Sequence, residues 1–181
     1  QYEKRTRDSN GHFETFCINL SAASVVDDSF LDFLVQTFEE TGAEPSSFCF
    51  ELTETTAVEN LSRAVGFMNR LKKMGVTFAL DDFGNGFSSF AYLKNLPVDY
   101  LKIDGSYVQD SDRDPIDRAM VQAVNNIGHV MGMQTIAEFV SNSSIRSILE
   151  EMGVDYVQGF EIARPGPLGE VHAAAHREGG S

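Results

Sequence analysis

Five side chains with oxygen donors stand at one kind of place in this sequence. Asn19 follows FCI, Glu51 follows FCF, Asp81 and Asp82 follow FAL, and Glu138 follows TIA, while Lys102 after YL and Gln158 after YV occupy the same position. Asn, Asp and Glu are hard donors that suit Mg²⁺ or Mn²⁺ better than zinc or copper. Carboxylates gathered within a few ångströms cannot all stay ionised without cations. Divalent ions are therefore the expected occupants, with Asn19, Glu51, Asp81 and Asp82 as candidate ligands. Two such ions about 4 Å apart would polarise a phosphodiester and activate water for in-line attack, with Lys102 and Glu138 orienting or deprotonating that water.

Short β-type runs must hold these residues. Six are expected, at residues 13–20, 48–53, 76–80, 100–103, 134–137 and 156–158, separated by helical stretches near 29–41, 57–74, 88–95, 115–131 and 143–152. This alternation is that of βα units feeding a parallel sheet or barrel. In such barrels reactive groups gather at the C-terminal strand ends. A strand's side-chain period of two sends Phe16, Ile18, Phe50 and Leu52 toward the helices and Cys17, Asn19, Cys49 and Glu51 to the other face. Cys17 and Cys49, in no CxxC spacing, read as reduced core thiols sharing a layer beneath Asn19 and Glu51. Gly42 and Gly75 read as left-handed helix caps, Pro115 as a first-turn residue and Ser21 as a cap of the segment after it. His12, His129, His172 and His176 match no ligand spacing.

A net charge of −13 over 181 residues argues against a broad surface for large nucleic acids, whose affinity comes from Lys and Arg meeting phosphates. No apolar run reaches the roughly 18 residues that suggest a membrane span. A cytoplasmic α/β domain over residues 1–169 with a Gly-rich tail at 170–181 is expected.

Six motifs stand in order: NLS at 19–21, ELTET at 51–55, DDFGNGFSS at 81–89, LKIDGSYV at 101–108, TIAEFV at 135–140 and QGFEIARP at 158–165. Together they resemble the EAL domain, and the resemblance covers nearly the whole chain. It implies a TIM-like (β/α)₈ barrel, here incomplete with about six strands, that cleaves cyclic di-GMP to pGpG with Mg²⁺ or Mn²⁺. It also implies that Asn19, Glu51, Asp81 and Asp82 bind metal and that Glu138 is a metal-linked general base. By the same resemblance Lys102 holds the catalytic water, Gln158 lies near the substrate, and Glu54 steadies the loop after the aspartate pair.

The sequence departs from the family pattern in three places. The Glu-Ala-Leu strand, which would supply a further metal-binding glutamate, does not occur, and QYEKRTRDSN resembles the tail of the helix that succeeds it. Ser141 stands where a second glutamate is common, and Asn85 and Phe87 replace the usual Thr and Tyr. Two functional readings stay open: a hydrolase of cyclic di-GMP, and a degenerate domain that binds cyclic di-GMP as a receptor or signalling module. A homodimer, or a neighbouring sensory or GGDEF-type domain, is the expected protein partner.

Overall fold

The structure is a computed structural model that describes residues 2–4, 15–84 and 91–166. Its strands are β1 (Tyr2–Lys4), β2 (Phe16–Asn19), β3 (Phe48–Thr53), β4 (Thr77–Phe83), β5 (Tyr100–Ile103), β6 (Gln134–Ala137) and β7 (Tyr156–Val157). The helices are α1 (Ala22–Val26), α2 (Asp28–Thr41), α3 (Glu54–Glu59), α4 (Leu61–Lys72), α5 (Gly105–Val108), α6 (Pro115–Val130) and α7 (Ser143–Glu151). The strands lie side by side in chain order. From β2 onward every neighbouring pair is parallel, so the six expected strands form half of a barrel.

Local chemistry sets several boundaries. The Asp27 carboxylate caps α2 by accepting the Ser29 N–H at 2.9 Å, and Gly42 ends that helix at φ 66° with its N–H on the Phe38 carbonyl. Gly75 likewise turns at φ 105°. Pro115 opens α6 behind Asp114, which accepts the Ile116 N–H at 2.7 Å. Ser21 caps α1 through the Ser24 N–H.

Four expectations differ from the structure. Tyr2–Lys4, expected as part of a helix tail, is instead a strand pairing antiparallel with Phe16–Ile18. The single helix expected over 57–74 begins earlier, because Thr53 accepts the Thr56 N–H and nucleates a turn at Glu54, and it breaks at Asn60, where φ is −124° and ψ 32°. α1 and α5 are too short to show periodicity, and the sequence pattern announces neither. Of the helix expected at 88–95, the described part is a 3₁₀ turn at Leu93–Asn95. Residues 88–90, the substitutions Asn85 and Phe87, His12, His172, His176 and the tail from 167 lie outside the described residues.

One apolar cluster lies between sheet and helices. Phe50, Leu52, Phe78, Leu80, Leu101 and Ile103 from the strands are each at most 2% exposed and pack with Met68 and Leu71 of α4. Each such side chain contributes roughly 1.5–3 kcal/mol on full burial. A smaller, separate cluster holds the buried Cys17, Cys49 and Ala79 against Tyr100. The register pairs Cys17 with Cys49 and Asn19 with Glu51, so the polar residues stand one layer above the thiols.

Candidate metal centre

At the C-terminal end of the sheet, β5 carries Lys102 inward. Its ammonium, 2% exposed, lies 3.0 Å from Glu51 Oε2, 2.8 Å from Asp81 Oδ1 and 2.7 Å from Glu138 Oε1. Strands β3 and β4 and the residue directly after β6 thus each supply a carboxylate to one cation. Burial alone would favour the neutral amine, but Glu51, Glu138 and Asp81 outweigh it and hold Lys102 above its ordinary value, so it stays protonated. It is a fixed positive charge and donor.

Asp81 and Asp82 are consecutive, and strict strand alternation would send them to opposite faces. The register resolves this: Leu80 pairs with Leu101 and Phe83 with Ile103, so β4 spends three steps where β5 spends two. That bulge, with Asp82 at φ 55°, turns both carboxylates to the same end. Oxygens of Asp81, Asp82 and Glu138 all lie within 4.8 Å of one another. Burial, then Asp81 and Asp104, push the Asp82 carboxyl up, against a smaller opposing pull from Lys102. The cluster is therefore short of positive charge, and its oxygen donors fit a hard divalent cation.

Asn19, an exposed residue at the end of β2, stands in register beside Glu51. Glu54, 5% exposed in the first turn of α3, accepts the Gly84 N–H at 3.4 Å and the Tyr92 hydroxyl. It thereby holds both flanks of segment 85–91. Gln158 sits beyond β7, with its backbone bonded to Ala137 and Val140. Its side-chain oxygen is buried without a hydrogen-bond partner among the described residues. Ser141 is exposed.

Two contributors escaped the sequence reading. Asp104, 7% exposed, caps α5 through the Ser106 N–H at 2.7 Å and adds negative charge next to Asp82. An Asp directly after a strand and before Gly-Ser is the signal of a helix cap that would have found it. Tyr107 donates its hydroxyl to the Gly84 carbonyl at 2.8 Å, fixing the start of the loop; no spacing rule points to it.

The EAL domain family model matches residues 1–165. The cyclic di-GMP phosphodiesterase PdeB of Shewanella oneidensis is 42% identical over 151 residues, covering 83% of this chain and 18% of that protein. PdeF of Escherichia coli, also a cyclic di-GMP phosphodiesterase, is 36% identical over 153 residues, covering 84% of this chain and 20% of its own. The chain thus spans about a fifth of the length of these relatives. Among solved structures, the EAL domain of Mycobacterium smegmatis DcpA has a TM-score of 0.84 at 32% identity, covering 90% of this chain and 73% of that one. The PaMucR phosphodiesterase, solved as a c-di-GMP complex, has a TM-score of 0.82 at 32% identity, covering 87% of this chain and 64% of that one. On its motifs, its half-barrel of parallel strands and these matches, the chain belongs to the EAL domain family.

Proposed function

We propose that this chain carries the metal and water-activating machinery of a cyclic di-GMP phosphodiesterase that yields linear pGpG. The observation that carries the reading is the grouping of Asp81, Asp82 and Glu138 within 4.8 Å beside a buried, protonated Lys102. Asp81, Asp82 and Glu138, with Asn19 and Glu51, would hold Mg²⁺ or Mn²⁺. Bound there, such ions polarise a phosphodiester oxygen and lower the pKa of water.

The protein's own groups divide the remaining work. Lys102, whose protonated form Glu51, Glu138 and Asp81 favour, would orient Glu138 and a nearby water as a donor. Glu138 is left as the base that removes the proton from the attacking water. Glu54 fixes the loop flanks at Gly84 and Tyr92, and Gln158, just beyond β7, would lie near the substrate. No described helix is long and apolar enough to cross a membrane. We place the domain in the cytoplasm, where its nucleotide substrate would be made.

The test is incubation of the purified chain with cyclic di-GMP, with Mg²⁺, with Mn²⁺ and with EDTA, and chromatographic separation of the products. The reading expects pGpG in the metal-containing reactions and none in EDTA. Turnover in EDTA equal to that in Mg²⁺ would overturn the metal assignment.

A further inference from the structure

Phe139 comes directly after Glu138 and is, with Asp82, one of two non-glycine residues among those described that adopt a positive φ, here 54°. An aromatic residue in the left-handed region is an outlier, and such strain persists only where the surroundings impose it. Here they do. Glu138 is held inward by Lys102, and Val140, fully buried, donates its N–H to the Gln158 carbonyl while its own carbonyl accepts the Glu161 N–H. The ring is also seated from one side. A Cβ built on Gly105 would lie 2.0 Å from Phe139 Cδ2, so the ring occupies the space that a side chain at 105 would need.

Folding gains little from this arrangement, because Phe139 remains 60% exposed. A strained backbone that displays a large apolar ring to solvent, its flank fixed across the ends of β5 and β6, has the form of a docking platform. The neighbouring cluster recognises phosphate through cations, and the ring offers a flat π surface beside it. The ligand chemistry that pairs a phosphodiester with a flat aromatic group is a nucleotide. Resting on the phosphodiesterase reading, we propose that Phe139 stacks against a nucleobase of the substrate and contributes to its affinity.

Stacking on an aromatic side chain corresponds to about a 5- to 150-fold change in affinity when the ring is removed. Phe139→Leu, which keeps apolar bulk, and Phe139→Gly, which relieves the backbone strain, should both raise KM for cyclic di-GMP within that range. In both, kcat should stay within about threefold; Phe139→Tyr should restore KM. The sequence has no tryptophan, so Phe139→Trp introduces a single reporter. Its emission should be quenched saturably on rapid mixing with cyclic di-GMP in Mg²⁺ and left unchanged by pyrophosphate, which has no base. The proposal is overturned if both the Leu and Gly variants keep KM within twofold, or if cyclic di-GMP and pyrophosphate affect the Trp reporter alike. Absence of hydrolysis by the unmodified chain would count against the phosphodiesterase reading instead, and the fluorescence titration would still decide whether a base stacks at this position.

Discussion

Replacing Lys102 by methionine keeps an unbranched stem of nearly the same length and removes the charged nitrogen. The structure makes the consequence calculable in outline. Each of the three contacts at 2.7–3.0 Å is an attraction of about 6 kcal/mol at an effective dielectric of about 20. Most of that is offset by the desolvation of four buried charges and by repulsion among the carboxylates. Removing one partner from such a buried group costs about 3–5 kcal/mol, because the remaining charges lose their compensation. For a domain of this size that is a fall in Tm of about 6–20 °C. Differential scanning fluorimetry at pH 7 in EDTA should show it, and millimolar Mg²⁺ should recover part of it by supplying the cation the carboxylates lack. The folded Lys102 titrates above its ordinary 10.5, so its contribution is present below that pH and is lost only as pH rises through the folded value. The fall should accordingly be the same at pH 7 and pH 9. A drop of less than about 2 °C in EDTA, or a larger drop in Mg²⁺ than in EDTA, would refute the reasoning.

Other consequences can be checked separately. Asp81→Asn should reduce turnover at least about 100-fold while shifting Tm by only a few degrees, and retained turnover would remove Asp81 from the metal site. Gly159, at φ 157°, would place a Cβ 2.3 Å from the Val140 backbone, so Gly159→Ala should lose on the order of 3 kcal/mol by urea denaturation. Burial pushes the Asp155 carboxyl up, but hydrogen bonds from the Thr135 N–H, His129 and the Thr135 hydroxyl prevail and hold it below its ordinary 3.8. The stability it provides is present above that value and lost as pH falls through the folded one. Urea midpoints measured between pH 6 and pH 2.5 should therefore decline less steeply for Asp155→Asn than for the unmodified chain.

What could be read from the sequence came from the period of two and from capping chemistry. That period placed Cys17 and Cys49 together under Asn19 and Glu51, and the register repeats the placement. Ser21, Gly42, Gly75 and Pro115 mark helix ends through local backbone chemistry that any parallel arrangement would preserve. The bulge at Asp81–Asp82 was not legible, because it arises where β4 meets β5, and no glycine or proline in LDDF announces it. Nor was the pairing of Tyr2–Lys4, whose polar residues show no strand pattern and whose ladder depends on a partner fourteen or so residues away. The grouping of Glu51, Asp81 and Glu138 around Lys102 was legible only as a set of polar strand ends. That one ammonium meets three carboxylates depends on the curvature of the sheet, which no local pattern encodes.

The most direct test of the central claim is hydrolysis of cyclic di-GMP by the purified chain with Mn²⁺ in ¹⁸O-enriched water, with mass analysis of the product. Attack by water activated at Glu138 predicts pGpG carrying one ¹⁸O on its terminal phosphate, and no labelled product from Glu138→Gln. Recovery of intact cyclic di-GMP from the unmodified chain, or undiminished labelling by the Glu138→Gln variant, would contradict the account.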